Sequence, residues 1–375
     1  MGTAALLAAC EREVFGEASS ALPSTTSQPG ATSSPSSTSS SSTTTTQGAT
    51  SPSGADTTTS SSSSTTSSST TTSSSTTSTT ALERPSSHGY PDATNTGVPG
   101  ATQLQKMEGT LDVRDDHIRL NDDVVAKRPA SGSTEWGPVT LYPEGTDIEA
   151  AEIVGRLRQT SSYPIYVARS KITATPEPTN AFYQIDTRSG KGGAKVYLAD
   201  CTIWGGLGKA AAFGGWMEFL RCDISGGEDA VDLQTETHLR DCYVHDLERR
   251  DGSHNDVFQS GGAVNASIIH STLLSARRVP DGQGVEFPDG WYDPMNAVLM
   301  IGDFGGEVRD VTVEDCLVDG GNYTFNDNWR GINPVKNIIV RRNRFGRHFR
   351  FGPRSLKGPA WIWEDNVWDD TGETV

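Results

Sequence analysis

The chain has 375 residues, a formal net charge of −16 and a hydrophobic content of only 34%. Its first 88 residues carry five acidic and two basic side chains, so −13 of that charge belongs to the remainder. A nucleic-acid-binding protein relies on clustered Lys and Arg, and a transmembrane helix needs about 18 consecutive apolar residues. Because the sequence has neither feature, we expect no nucleic-acid partner and no transmembrane helix.

Residues 1–18 resemble the end of an export signal. Residues 6–10 read Leu-Leu-Ala-Ala-Cys, similar to a bacterial lipobox, in which the cysteine becomes lipidated. Export signals also carry a basic residue ahead of a longer apolar region, and residues 1–3 supply neither. The alternative is a chance Leu-Ala-Ala-Cys. We favour a lipoprotein whose start codon lies upstream and whose lipid anchor is attached at Cys10.

Residues 19–87 are almost entirely Ser and Thr. Such a segment has little apolar surface to bury and cannot offset the entropy lost on ordering its backbone. We therefore expect a disordered linker with a root-mean-square reach of about 45 Å, followed by one folded domain over residues 88–375. A flexible spacer suits an extracellular domain tethered to the cell surface, and we predict that location.

The folded region contains a repeat built on seven small or amide anchor residues. These anchors are Cys201, Cys222, Cys242, Ser271, Cys316, Asn343 and Asn366. The side chains three residues before and two residues after each anchor are apolar, whereas the residue immediately before it is polar. Alternation of this kind predicts half-buried strands, and its recurrence every 20 to 45 residues predicts the coils of a parallel β-helix. The expected fold class is therefore all-β, a single-stranded solenoid.

One segment departs from this all-β pattern. Between Asp147 and Gln159, apolar residues such as Ile148, Ile153 and Leu157 alternate with charged ones. Their spacing predicts an amphipathic helix.

The anchor column determines how the cysteines are interpreted. Neighbouring coils would place their α-carbons about 4.8 Å apart, inside the range of a disulfide. Small buried side chains in one column can also remain free thiols that behave as hydrophobic groups, and we favour that state. No Cys-x-x-Cys pair is present, so we expect no zinc site.

Two consecutive coils carry acidic residues at matching positions. Registering Ala230 with Val257 places Asp229 beside Asp256, and it places Asp232 beside Gln259. Two carboxylates about 5 Å apart repel, so that one keeps its proton while the other ionises. This pairing suits acid and base catalysis at a glycosidic bond. The candidate catalytic residues are Asp229, Asp232, His254 and Asp256.

Other residues near these acids are candidates for substrate binding. We expect Asn296 and Arg350 to fall in the column of Asp229, and Gln259 and Asn326 in a second column with Asp232. A lyase would instead use Arg or Lys as its base. The candidate bases are Arg249, Arg250, Arg330 and Arg350.

Two alternative roles for the acidic column stay open. Asp229 and Asp256 could bind Ca²⁺, which takes six to eight oxygen ligands. They could also cap backbone N–H groups at the bends between strands. Periodicity alone does not decide whether this column faces solvent or the interior.

An insertion at residues 277–294 carries Phe287, Trp291 and Tyr292. Long loops on one side of a solenoid often form its binding surface. We expect Trp291 and Tyr292 to stack on sugar rings; the alternative is that the aromatic residues pack onto the coil beneath.

Five segments together carry a family resemblance. They are residues 89–99 (Gly-Tyr-Pro-Asp-Ala-Thr-Asn-Thr-Gly-Val-Pro), 253–259 (Ser-His-Asn-Asp-Val-Phe-Gln), 320–324 (Gly-Gly-Asn-Tyr-Thr), 343–347 (Asn-Arg-Phe-Gly-Arg) and 366–372 (Asn-Val-Trp-Asp-Asp-Thr-Gly). They resemble secreted actinobacterial proteins of the pectate-lyase-like superfamily. The resemblance implies a right-handed parallel β-helix from about residue 89 onward.

The resemblance implies less about activity, because the superfamily includes lyases, hydrolases, epimerases and non-catalytic members. The family pattern His-Ala-Asp-Gly-(Val/Ile)-Gln is only partly matched by residues 254–259. The Gly-His-Gly and Arg-Ile-Lys motifs of polygalacturonase-type enzymes do not occur. We expect a monomer that cleaves an extracellular polysaccharide by hydrolysis or elimination. The alternative is a non-catalytic glycan-binding or structural solenoid. The charge of −13 favours a neutral or weakly charged glycan.

Overall fold

The computed structural model describes residues 89–175, 183–190, 192–249, 252–357 and 361–375. The export segment with Cys10, the Ser/Thr linker and Arg250 lie outside these ranges.

Every helix or strand in the described ranges is a β-strand. The strands are β1 (Gln105–Val113), β2 (His117–Leu120), β3 (Asp123–Lys127), β4 (Thr134–Trp136), β5 (Val139–Tyr142), β6 (Gly145–Glu149), β7 (Ala151–Gln159), β8 (Ile165–Ala168), β9 (Lys171–Thr173), β10 (Tyr183–Asp186), β11 (Val196–Ala199), β12 (Thr202–Trp204), β13 (Ala210–Gly214), β14 (Met217–Leu220), β15 (Asp223–Ser225), β16 (Asp229–Leu233), β17 (Thr237–Arg240), β18 (Tyr243–His245), β19 (Asp256–Ser260), β20 (Val264–Ile269), β21 (Thr272–Ser275), β22 (Arg277–Arg278), β23 (Val285–Phe287), β24 (Gly290–Asp293), β25 (Ala297–Ile301), β26 (Val308–Glu314), β27 (Leu317–Gly320), β28 (Tyr323–Asp327), β29 (Val335–Arg341), β30 (Arg344–Phe345), β31 (Gly352–Ser355), β32 (Trp361–Glu364) and β33 (Val367–Trp368).

From β10 onward each coil contributes one strand to each of three faces. The first face contains β10, β13, β16, β19, β25, β28 and β31. The second face contains β11, β14, β17, β20, β26, β29 and β32. The third face contains β12, β15, β18, β21, β27, β30 and β33. All these pairings are parallel, which confirms the predicted parallel β-helix.

The N-terminal end of this solenoid is covered by antiparallel strands. The segments β1, β2 and β3 form a meander, and β1 lies parallel against β7 along its full length. The segments β4, β5 and β6 form a second meander, and β6 then pairs in parallel with β8. The otherwise unpaired strands of the first coil are thus protected, as a solenoid requires.

The apolar columns predicted on either side of the anchors pair in register. The positions three residues before the anchors form one column on the second face: Leu198, Phe219, Leu239, Ile268, Val313, Val340 and Trp363. The positions two residues after them form one column on the third face: Ile203, Ile224, Val244, Leu273, Val318, Phe345 and Trp368. The core is therefore a stack of apolar layers, one from each coil.

The anchors themselves lie at the corner between the second and third faces. The polar residue before each anchor has a left-handed backbone, with φ between 45° and 56°. These corner residues are Asp200, Arg221, Asp241, His270, Asp315, Arg342 and Asp365. The anchor side chains are fully buried, and the thiols of Cys201, Cys222, Cys242 and Cys316 are free, as predicted.

The helix predicted between Asp147 and Gln159 is wrong. This segment forms β6 and β7, separated by Ala150 with φ of 52°. Alternating residues of β7 are buried at its two ends, and Gly155 allows a close approach to the backbone of Gly109 on β1. The charged residues that suggested a polar helix face alternate along a strand instead, and nine residues of β7 pair with β1.

Removing the ring of Phe325 tests the packing of the core. It is fully buried, with its centroid 5.6 Å from Phe345 and 5.7 Å from Trp363. Phe325→Ala leaves a cavity among these rings, so we expect a loss of about 3–5 kcal/mol in the free energy of unfolding, measured by urea denaturation. The control Phe351→Ala changes a ring that is 64% exposed and should cost less than about 1 kcal/mol. Equal losses in the two variants would contradict this packing.

Candidate functional site

Asp229 and Asp256 face each other across β16 and β19, as the predicted register requires. Both side chains are buried, Asp256 completely. The backbone N–H of Asp256 donates to Oδ1 of Asp229 at 2.9 Å. Asp229 therefore caps a backbone group at the start of β19, and neither carboxyl group is exposed on the surface of the solenoid.

Burial changes the protonation of this pair. It raises the pKa of Asp229 to about 7, against the hydrogen bond from the backbone of Asp256. The pKa of Asp256 is raised well above its ordinary value, first by burial and then by the charge of Asp229. Two buried carboxylates so close together cannot both ionise without a large cost, so Asp256 holds its proton near neutral pH.

The predicted position of Asn296 is one residue out of register. The residue opposite Asp256 is Ala297, because the backbone N–H groups of Asn296 and Ala297 both point to the carbonyl oxygen of Asn255. Asn296 nevertheless contacts the pair, and its Nδ2 donates to Oδ1 of Asp256 at 2.8 Å. Asn296 therefore binds the buried carboxyl group of Asp256.

The second predicted column is confirmed. Asp232 pairs with Gln259, and Gln259 leads to Asn326 through Met300 of the intervening coil. Strand alternation directs these side chains away from the core residues Val231, Phe258, Leu299 and Phe325. We call Asp232, Gln259, Met300 and Asn326 the outer column.

Asp232 is the titratable residue of the outer column. Its side chain is half-buried and accepts a hydrogen bond from Nε2 of Gln234 at 2.7 Å. Burial raises its pKa to about 6, although this hydrogen bond and the charges of Arg188 and Lys209 act in the opposite direction. A carboxyl group with such a pKa can both donate and accept a proton near neutral pH.

An aromatic and cationic cluster continues the outer column toward the N-terminus. Phe213 pairs with Asp232 on one side and with Asp186 on the other. The rings of Phe213 and Tyr183 stack at 4.2 Å, and the guanidinium of Arg188 lies over both, 4.7 and 4.8 Å from their centroids. Asp186 fixes Arg188 through two hydrogen bonds of 3.0 and 2.9 Å. The repeat around the anchors covers only the second and third faces, so it gives no signal for these residues of the first face.

The insertion at residues 277–294 forms a small antiparallel sheet of β22, β24 and β23. The ring of Tyr292 stacks on His348 at 4.0 Å, and Phe287 meets the same ring edge-on at 5.1 Å. His348 also bonds Asp319 and Asp289, which raise its pKa to about 9 although burial alone would lower it. Tyr292 thus packs on a neighbouring coil, the alternative considered for these aromatics. Trp291 lies half-buried opposite Glu286.

His254 is exposed, and its backbone N–H donates to Oε1 of Glu228 at 3.4 Å. Arg350 does not occupy the column of Asp229. The residue there is Gly352, opposite Tyr323, because a bend at residues 348–351 shifts the register. Arg350 is exposed in that bend.

Two further candidate bases have defined surroundings. Arg249 makes a two-pronged ion pair with Asp293, with both contacts at 2.7 Å. The backbone N–H of Arg330 donates to Asp303 at 3.0 Å, in a loop organised by that carboxylate. Neither residue extends the outer column.

The described residues contain no group of three or more His, Cys, Asp or Glu side chains that could hold a metal ion. Asp229 and Asp256 are therefore not part of any such group. Within the same ranges, no helix is long and apolar enough to cross a membrane.

Comparisons with known proteins add no name to the fold. No family model matches the chain. No curated protein and no solved structure matches it either.

Proposed function

We propose that the protein binds an extracellular polysaccharide along the outer column and cleaves it with Asp232 as the general acid. The observation that carries this proposal is the state of Asp232, which is half-buried with a pKa raised to about 6. A carboxyl group near this pKa still holds its proton in part of the population near neutral pH, and a glycosidic oxygen must be protonated as its bond breaks.

The outer column suits a chain of sugar hydroxyl groups. Successive coils present hydrogen-bonding side chains about 4.8 Å apart, from Asp232 to Gln259 and, beyond Met300, Asn326. Carboxyl and amide groups can donate to and accept from hydroxyls. The charge of −13 on the chain beyond residue 88 favours a neutral or weakly charged glycan, because a polyanion would be repelled.

In this proposal Asp229 and Asp256 support the site and do not contact the substrate. Both are buried, and Asp229 accepts a hydrogen bond from the backbone N–H of Asp256, the first residue of the strand that carries Gln259. The pair holds β16 and β19 in register, which aligns Asp232 with Gln259. We also propose that Cys10 anchors the protein outside the cell through a lipid, with the Ser/Thr segment as spacer.

A non-catalytic glycan-binding protein is the second candidate. Glycoside hydrolysis generally uses two carboxyl groups. Asp186 lies two strands from Asp232 on the same outward face, but it is almost fully buried and held by Arg156 and Arg188. A site with one accessible carboxyl group favours binding without cleavage.

One assay separates the two candidates. The full-length protein is incubated with xylan, mannan, starch, mixed-linkage β-glucan and polygalacturonate, and new reducing ends and ultraviolet-absorbing unsaturated products are measured. We expect hydrolysis of one neutral glycan, with Asp232→Asn lowering the rate about 100-fold because the proton donor is lost. Affinity electrophoresis in the same glycan measures binding separately.

The matched control is Asp122→Asn, which changes a fully exposed carboxyl group in the turn between β2 and β3. It should leave the rate unchanged. Retarded migration without any product would support the non-catalytic candidate. Full activity of Asp232→Asn would refute the proposed role of Asp232, and the absence of both binding and product would refute both candidates.

A further inference from the structure

A serine, a histidine and a glutamate meet on the outer surface of the second face, away from the outer column. His238 of β17 pairs with Ser267 of β20 in parallel register. Nδ1 of His238 lies 2.9 Å from the hydroxyl oxygen of Ser267. Both side chains are half-buried and lie on the outward side of their strands, where a small molecule can reach them.

The second ring nitrogen of His238 faces a carboxylate. Its Nε2 lies 3.5 Å from Oε2 of Glu236. Although burial raises the pKa of Glu236, hydrogen bonds from Asn265, at 2.6 Å, and from His238 lower it below its ordinary value. An ionised Glu236 favours the tautomer with its proton on Nε2, which leaves Nδ1 free to accept the proton of Ser267.

The protonation of His238 distinguishes it from two other paired histidines. His245 bonds Asp223 and Asp246, and His348 bonds Asp319 and Asp289; these carboxylates raise both pKa values to about 9 against the effect of burial. The pKa of His238 is instead lowered, by burial and then by the charge of Lys195. His238 is therefore neutral near pH 7 and can act as a base, whereas the other two are already protonated.

From this geometry we propose that Ser267, His238 and Glu236 form a second catalytic site that hydrolyses short acyl esters of alcohols. The hydroxyl oxygen of Ser267 forms a bond to the acyl carbon while its proton passes to Nδ1 of His238. The ester C–O bond then breaks, and the leaving alcohol takes that proton. Water attacks the acyl-serine with His238 as base, which releases the carboxylic acid and restores Ser267.

Lys195 adds a positive charge to this cluster. Its ammonium group lies 2.5 Å from Oε1 of Glu218 and 3.7 Å from Oε2 of Glu236. Glu218 pairs with His238 on the side away from Ser267, so the charge of Lys195 acts on Glu236 and His238. Added to the effects of burial and hydrogen bonding, this charge lowers the pKa of both groups, which keeps Glu236 ionised and His238 neutral.

The experiment uses the full-length protein, p-nitrophenyl acetate as substrate and diisopropyl fluorophosphate as covalent probe. We expect mass spectrometry of peptides to locate one phosphoryl adduct on Ser267. Ser267→Ala should abolish the adduct and lower kcat/KM about 100-fold, and His238→Asn should slow labelling by a similar factor. The rate should rise with pH and level off below the ordinary pKa of histidine.

Ser225→Ala is the matched control. Ser225 also pairs in register with a histidine, His245, but both nitrogens of that ring are held by aspartates. The Ser225→Ala variant should still form the phosphoryl adduct on Ser267 and should hydrolyse p-nitrophenyl acetate at the wild-type rate. No adduct on Ser267, or an unchanged rate in Ser267→Ala with an unchanged circular dichroism spectrum, would overturn the proposal and leave Ser267 and His238 a structural pair.

Discussion

Replacing Asp256 with asparagine is expected to make the protein more stable at pH 8 and to weaken the pH dependence of its stability. In the unfolded chain Asp256 titrates near pH 4, whereas in the folded protein burial and the charge of Asp229 raise its pKa far above that value. Between these two pKa values the folded protein binds more protons than the unfolded chain. The free energy of unfolding therefore falls as the pH rises from about 4 through neutrality.

The introduced asparagine would be neutral in both states, so this loss disappears from the variant. At pH 8 we expect the free energy of unfolding of Asp256→Asn to exceed that of the wild type by on the order of 2 kcal/mol or more. At pH 4 the two values should agree within about 1 kcal/mol. A smaller slope persists, because Asp229 keeps a pKa raised to about 7. Urea denaturation across this pH range measures the difference.

The same substitution at an exposed position is the control for this experiment. Asp122→Asn changes a fully exposed carboxyl group and should not alter the slope of stability with pH. A lower stability of Asp256→Asn at pH 8 would mean that Asp256 is ionised and favourably paired in the folded protein, contrary to the buried, protonated state described above.

Asn343→Ala is expected to destabilise the C-terminal coils by about 3 kcal/mol. Oδ1 of Asn343 accepts the backbone N–H of Cys316 at 2.9 Å, and its Nδ2 donates to the carbonyl of Val313 and to Oδ1 of Asn366, both at 3.0 Å. The side chain is fully buried. Alanine would leave several buried polar groups without partners, and each costs about 1–3 kcal/mol.

Thermal unfolding followed by circular dichroism measures this effect, and Gln283→Ala is the control. Gln283 is an exposed amide in the turn that precedes β23, so its removal should change stability by less than about 0.5 kcal/mol. Similar melting temperatures for the wild type and Asn343→Ala would contradict a stabilising asparagine ladder.

The sequence predicted the strands best where a column of residues repeats. Apolar positions around Cys201 and Cys222 alternate with period 2, and one buried side determines the register. The polar residue before each anchor was visible in the sequence, but its role as a left-handed corner appears only in the backbone. The same pattern extends one coil earlier, where Arg169 has φ of 46° and Ser170 is buried. In the sequence alone, this single serine is too weak a signal to extend the repeat to that coil.

The candidate site was harder to predict. Pairing Asp229 with Asp256 follows from aligning two coils, but alignment does not tell whether a column points inward. That depends on Val231 and Phe258, which share their strand side with these acids and fill the core. The columns predicted for Asn296 and Arg350 are wrong because the chain contains extra residues just before these strands. They lie at Met295, with φ of 57°, and in the bend at residues 348–351, and neither addition is visible in the repeat pattern.

The most direct test compares Asp232→Asn with Asp256→Asn in the glycan assay described above, at pH 6 and at equal fractions of folded protein. Both substitutions replace an aspartate by its neutral isostere on adjacent strands. The proposed function predicts that Asp232→Asn loses product formation about 100-fold, whereas Asp256→Asn stays within about twofold of the wild type. Loss of activity in Asp256→Asn with full activity in Asp232→Asn would contradict it.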